Sequence, residues 1–139
     1  SFMLPISRAT AEIFWRGVAA SAALAERIVL AAHDASGSII GTVQIIVAQP
    51  ENQPHRADVA KMLVRRRARR HGVGAALLAA AETCARDAGK TLLVLDTASG
   101  DAERLYAKLG WQRCGLIPGY ALLPQGGLCD TTIFYRTLQ

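Results

Sequence analysis

At 139 residues the chain is long enough for one domain with a real core and too short for two. A composition of 51% hydrophobic and 19% charged residues, with no Ser, Gln or Pro tract, excludes a disordered or low-complexity protein. The formal net charge is +5, yet without Arg65, Arg66, Arg67, Arg69 and Arg70 the chain holds 11 basic and 11 acidic residues, so its basicity is one local cluster. A surface that coats DNA needs many Lys and Arg contacts to successive phosphates. One cluster suits a compact anion instead, and no nucleic-acid partner is expected.

Cys84, Cys114 and Cys129 lie far apart without CxxC spacing, which argues against a disulfide framework and against a metal site. The apolar runs are short or broken by Gly and charge, and "SFMLPISRAT" lacks a basic segment followed by an apolar one. Neither a membrane partner nor a leader is expected, and the cytoplasm is the predicted location.

In chain order, "SRATAEIFWRGVAASAAL" predicts a helix capped by Ser7, with Ala11, Phe14, Trp15 and Val18 at helical spacing. "ERIVLAAHD" and "SIIGTVQIIVAQ" predict an antiparallel hairpin turning at "DASG". After the loop "PENQPHR", the segment "ADVAKMLV" predicts a third strand. From Gly72 the stripe Val73, Leu77, Ala80, Ala81 and Cys84 predicts a helix ending before Gly89. "TLLVLD" is short and wholly apolar until its last residue, as in a strand buried on both faces. "SGDAERLYAKLG" predicts a helix with Asp101 near its start, Ala102, Leu105 and Leu109 inward, and Gly110 closing it. "WQRCGLI" and "DTTIFYRTL" predict two last strands joined by the loop "PGYALLPQGG". The order is that of an α/β domain spanning 1–139 with no internal repeat.

The arginine cluster runs into a strand, turn and helix N-terminus, an arrangement that aims backbone N–H groups and the positive end of a helix dipole at one spot. Glycine there lets a phosphate approach the main chain. The spelling is neither a Walker A loop nor a GxGxxG fingerprint. It is Arg69-x-x-Gly72-x-Gly74, which resembles the acetyl-CoA loop of the GCN5-related N-acetyltransferase family, and "ERLYAKLGW" resembles that family's later Leu-Tyr-x-x-x-Gly-(Phe/Trp) segment. The resemblance runs from about Ile28 to Leu138. "PGYALLPQGGLCDTTIFYRTL", with "ADVAKMLV" and "LLVLDT", looks most like the small-molecule acetyltransferases of the tabtoxin-resistance type.

The resemblance implies a mixed, mostly antiparallel sheet with a parallel central pair that splays apart, flanked by helices, and acetyl-CoA as cosubstrate without a metal. It implies that the main chain of Met62, Leu63 and Val64 pairs with the pantetheine arm. It further implies that Arg69, Arg70, His71, Gly72, Val73, Gly74 and Ala75 cradle the pyrophosphate, with His71 contributing its backbone. Relatives often carry Asn where this chain has the shorter Ser99, a weaker candidate for a cofactor contact. Family members open with a further strand and helix, whereas "SFMLPIS" corresponds to the stretch just before the second helix, so the first family strand is not expected in this sequence.

Acetyl transfer to an amine needs a neutral nitrogen, a donor for the developing oxyanion and a proton source for the thiolate. Tyr106 matches the family tyrosine whose hydroxyl lies beside the thioester sulfur, and it is expected to donate a proton to the thiolate. Asp58 and Asp96 are expected to face the cleft where their strands part. An ordinary Asp with a pKa of about 4 is a poor base for an alkylammonium, so Asp96 is assigned to orienting the cation and Asp58 to a water relay. Phe14, Trp15 and Tyr120 are candidates for an acceptor pocket, with core packing the alternative for the first two. Arg65, Arg66 and Arg67 read as a solvated flank, and His33 and His55 as surface residues. Cys114 has no activating neighbour in sequence and is expected to be buried. The expected reaction is N-acetylation of a primary amine on a small molecule, such as a toxin or antibiotic, by direct attack in a ternary complex. Rival readings are a nucleic-acid-binding module and a silent CoA-binding domain. Exposed strand edges and the long final hairpin are compatible with a homodimer.

Overall fold

The computed structural model describes residue 3 and residues 5–139. Helix α1 (Arg8–Ala23) starts where the Ser7 hydroxyl oxygen accepts the Thr10 N–H at 3.1 Å, and Val18 is its buried residue. Strands β1 (Arg27–His33) and β2 (Ile39–Ile46) form the expected hairpin. Its turn is fastened by the Asp34 carboxylate, which accepts from the Ser36 N–H and hydroxyl and from the Ser38 N–H.

Strand β3 (Arg56–Val64) leads through a short 3-10 turn at Arg66–Ala68 into α2 (Val73–Asp87). Then come β4 (Leu92–Thr97), α3 (Gly100–Lys108), β5 (Gln112–Leu122) and β6 (Leu128–Thr137). The six strands make one sheet in the order β1-β2-β3-β4-β6-β5. Only β3 and β4 are parallel, so the sheet is mixed and mostly antiparallel as expected. The core lies under α2 and α3: Val43, Ile45, Ala57, Val59, Leu93, Leu95 and Phe134 from the sheet meet Leu77, Leu78, Ala81, Ala85 and Tyr106 from the helices. Each large apolar side chain buried there contributes about 1.5–3 kcal/mol.

Two irregularities shape the centre of the sheet. Thr42 faces Leu63 while Gln44 faces Ala60, so Lys61 and Met62 together oppose Val43, and Lys61 takes a φ of 52°. Such a bulge bends the strand that carries it. The parallel pairing of β3 with β4 is short, Arg56 with Leu92, Ala57 with Leu93 and Asp58 with Val94, and beyond it the strands diverge.

Three expectations are corrected. Half of "PGYALLPQGG" is strand: β5 continues to Leu122, its register slipping between Ile117 and Ala121, and Pro118 is tolerated because β5 is an edge strand with one side unpaired. Cys114 is exposed, because that outer strand has few residues covered on either face. The buried stripe of α2 is Leu77, Leu78, Ala81 and Ala85, with Leu78 and Ala85 in place of Ala80 and Cys84, and the alanines let the helix lie close on the sheet. No helix among the described residues is long and apolar enough to cross a membrane.

Candidate active site

The divergence of β3 and β4 opens a cleft of about 1550 Å³. Along β3 it is lined from Val59 to Val64, and along β4 by Leu95, Asp96 and Thr97. Met62, Leu63 and Val64 therefore stand on an edge whose β4 side has no ladder partner, while the opposite edge of β3 is held by β2, with Leu63 against Thr42 and Val64 against Gly41. Unpaired main-chain groups facing a cleft are open to an extended ligand that completes the sheet.

Arg69, Arg70 and Gly74 line the cleft beside that edge, at the start of α2. Gly72 caps the helix in the left-handed conformation at φ 78°, which a residue without Cβ adopts at no steric cost. The first helical bond runs from the Ala76 N–H to the Gly72 carbonyl, leaving the N–H groups of Val73, Gly74 and Ala75 without a helical acceptor. No side chain caps them and no acidic residue sits in the first turn, so this end is uncompensated and positive. His71, Gly72, Val73 and Ala75 form the turn and helix start without lining the cleft by their own atoms.

The flanking arginines are not a uniform solvated run. Arg67 donates twice to Asp34 at 3.3 Å and ties the loop to the β1–β2 turn. Asp34 is held down to about 2, chiefly by the Ser36 hydroxyl and the Ser38 N–H, with Arg67 adding to the effect. Arg66 lines the cleft and Arg65 stays exposed.

At the other end, α3 is positioned by Ser99, whose hydroxyl oxygen accepts the Ala102 N–H at 3.3 Å. Ser99 lines the cleft but is engaged as a helix cap. Arg136 reaches from β6 to the Leu109 carbonyl at 2.9 Å and lies 3.2 Å from Glu82 of α2, fixing the far end of α3. Tyr106 is 5% exposed, with its ring 5.6 Å from that of Phe134 and 5.9 Å from that of Trp111. The Trp111 N–H bonds the Tyr106 carbonyl at 3.0 Å across Gly110, which explains the spacing of tyrosine, glycine and tryptophan. The phenol reaches the cleft and makes no hydrogen bond among the described residues. Burial, and then the charge of Asp96, push it up to about 12.

Asp96, the last residue but one of β4, is exposed and lines the cleft. Asp58 does not join it. That side chain ion-pairs with Arg56 and accepts from Gln49 at 3.1 Å, at the closed end of the fork where β3 still pairs with β4. The expected relay position is thus corrected: Asp58 belongs to the rung before the strands part, and the cleft begins at Val59. Ile6, Phe14, Trp15 and Lys61 line one flank, where the Lys61 ammonium sits 5.7 Å from the centre of the Phe14 ring, and Tyr120, Cys129 and Asp130 line the other. Sequence reasoning missed Thr131. It is 3% exposed, and its hydroxyl donates to Asp96 Oδ2 at 2.8 Å. A threonine in a β-rich run carries no signal for such a contact.

Comparison with known proteins agrees with this geometry. Residues 25–113 match the model of the acetyltransferase (GNAT) domain. Among solved structures, the acetyltransferase of the GNAT family from Streptococcus pneumoniae is 25% identical, with a TM-score of 0.75 over 97% of this chain and 79% of that one. A ribosomal-protein-alanine N-acetyltransferase from Brucella melitensis is 22% identical with a TM-score of 0.78, over 91% of this chain and 78% of its own. A GNAT superfamily phosphinothricin acetyltransferase from Sinorhizobium meliloti, solved with acetyl-CoA, is 20% identical with a TM-score of 0.77, over 96% and 71%.

Proposed function

This chain belongs to the GNAT acetyltransferase family, and from that premise we propose that its cleft joins the acetyl group of acetyl-CoA to a primary amine of a small cationic molecule, both substrates being held together. The observation that carries this reading is the fork itself. Parallel pairing stops at Asp58 and Val94, and the opening has a positive helix start at one end and Asp96 with Tyr106 at the other. The residues fit acetyl-CoA. The edge of Met62, Leu63 and Val64, which β4 does not pair and where Arg69 Nε donates to the Val64 carbonyl at 3.3 Å, suits an amide-bearing arm. The N–H groups of Val73, Gly74 and Ala75 with Arg69 and Arg70 suit a pyrophosphate.

Acetyl-CoA supplies the thioester carbonyl that the amine attacks and the thiolate that departs. The chain's own part is to hold and polarise. Asp96 binds the ammonium and sets the nitrogen's approach. The amine attacks once it has lost a proton to solvent, the N–C bond forming as the C–S bond breaks. The second nitrogen proton offsets the charge of the departing thiolate through solvent. Tyr106 retains its proton throughout the neutral range. Tyr106 therefore acts by donating a hydrogen bond to developing negative charge.

Room for two substrates favours direct attack. Pockets for one small ligand run to roughly 300–1,000 Å³, and this cleft has about 1550 Å³. Cys129 lines it, but no described histidine does, so an acyl-cysteine route has no evident base. The three free cysteines and the use of acetyl-CoA suit a reducing cytoplasm.

Calorimetry with acetyl-CoA, followed by thiol release across an amine panel, tests the reading. The panel contains phosphinothricin, polyamines, aminoglycosides and a peptide beginning with alanine. Binding of acetyl-CoA with turnover of a small cationic amine is the expected result. No binding would end the reading, and turnover of the peptide alone would replace the small-molecule acceptor with a protein N-terminus.

A further inference from the structure

We propose that Thr131 is a positioning residue for the acceptor amine, fixing one oxygen of Asp96 so that the other is presented to the incoming ammonium. The inference rests on the reading of Asp96 given above and adds to it the device that aims the carboxylate.

Asp96 is the penultimate residue of β4, where the strand has left β3 and is held only by β6, with Asp96 opposite Ile133 and Thr97 opposite Thr132. An exposed aspartate at a strand end ordinarily samples several rotamers, and ordering it for each encounter costs affinity. Thr131 lies one residue beyond the last β4–β6 pair and is almost wholly buried. Its hydroxyl donates to Asp96 Oδ2 at 2.8 Å, with the Thr97 carbonyl at 3.4 Å as the more distant acceptor, and Thr131 itself is held in the sheet opposite Ile117 of β5. A hydrogen bond to a charged group from a fixed, β-branched residue is both stronger and more directional than one between neutral partners.

Asp96 Oδ1 has no partner among the described residues and remains for a ligand. The other cleft carboxylates are engaged elsewhere. Asp101 pairs with Arg104, and Asp130 accepts the Gly119 N–H at 2.9 Å. Lys61, the cleft's ammonium on the β3 side, is turned toward the Phe14 ring. Asp96 is thus the cleft carboxylate both anchored and open to a cation. The charge that Asp96 imposes on Tyr106 gives the anchoring a second readout, independent of any acceptor.

Three variants test the idea: Thr131→Val, which keeps the shape and removes the hydroxyl, Thr131→Ser, which keeps the hydroxyl, and Asp96→Asn. With the amine identified by the panel, Thr131→Val is expected to raise KM for the amine about 10-fold while leaving kcat within about threefold and acetyl-CoA affinity unchanged, the size expected for one charge-assisted bond. Thr131→Ser recovers most of that loss, and Thr131→Val adds nothing in an Asp96→Asn background. The second measurement follows the onset of Tyr106 ionisation by carbon-13 tyrosine resonances up to pH 11, where a phenol at about 12 has begun to lose its proton. Asp96→Asn moves its titration downward, Thr131→Val displaces it because the carboxylate stays charged but loses its fixed place, and Thr131→Ser leaves it in place.

Equal losses in Thr131→Val and Thr131→Ser would overturn the proposal in favour of simple packing, as would a full additional loss in the Asp96→Asn background. If no amine is turned over, the reading of function fails by itself. The tyrosine titration still decides whether Thr131 governs where the Asp96 charge stands, and an unchanged titration in Thr131→Val overturns it.

Discussion

The two ends of the cleft are made of different materials. Where β3 runs into α2, the groups on offer are main-chain ones, the edge at Met62 to Val64 that β4 does not pair and the uncapped N–H groups of Val73 to Ala75. Where β4 meets β6 and α3, the groups are side chains brought from far apart in sequence, Asp96, Tyr106 and Thr131. A main-chain site is vulnerable to bulk and backbone strain and indifferent to most side-chain chemistry. A side-chain site is the reverse, and substitutions at each end should fail in different ways.

The sharpest break is expected at the main-chain end. A Cβ on Gly74 would sit 3.2 Å from Leu105 and 3.9 Å from Met62. One methyl is absorbed by a small shift of the leucine, whereas the branched Gly74→Val drives α2 away from α3 and β3. Acetyl-CoA affinity should fall about 100-fold, a difference of about 2.8 kcal/mol, with Gly74→Ala within a few-fold of the parent. Calorimetry checks both. A nucleic-acid-binding module would not notice either change.

Next in size is Tyr106→Phe. The ring stays packed between Trp111 and Phe134, so the melting temperature and acetyl-CoA affinity should hold while kcat drops about 10²-fold. The sign of the pH dependence follows from the phenol being raised from 10 to about 12. A proton held more tightly when folded contributes stability that is fully present below 10 and lost as pH rises through about 12. In steady-state assays turnover should climb as the amine deprotonates, with no alkaline limb from Tyr106 before about 11.

The turn and helix start proposed to hold the cofactor were legible in sequence because main-chain geometry announces itself locally, as two glycines and an arginine at fixed spacing. The helix around Tyr106 was legible for the same reason, since Leu105, Tyr106, Gly110 and Trp111 are neighbours. The acceptor end was legible only in part. Asp96 could be placed from its strand, but Thr131 is 35 residues away and touches it only because β6 inserts beside β4. Asp58 misled for a related reason. Asp58 lies near the start of β3 and Asp96 near the end of its parallel neighbour β4, and only the register shows that Asp58 lies on the last paired rung and Asp96 beyond it.

A smaller effect is expected from the tether between the two ends of the loop's support. Asp34→Asn releases Arg67, and because this ion pair is exposed it should weaken acetyl-CoA binding only about two- to threefold, an effect erased by high salt. A salt series of binding isotherms measures it. Smallest of all is Asp58→Asn. Its carboxylate serves Arg56 and Gln49 outside the cleft, so kcat should stay within about twofold of the parent. A collapse of turnover would return Asp58 to the reaction and blur the division between the two ends.

The short parallel seam between β3 and β4 also sets how the molecule ought to exchange its amide hydrogens. Beyond Asp58, amides of β3 that point to β2 are locked in a ladder, while those that point across the fork are open to water. Protection should therefore alternate along one strand, broken at the bulge of Lys61 and Met62, and even out when acetyl-CoA fills the fork. The cosubstrate would then serve as a seventh strand, and the stability of the fold would follow its concentration.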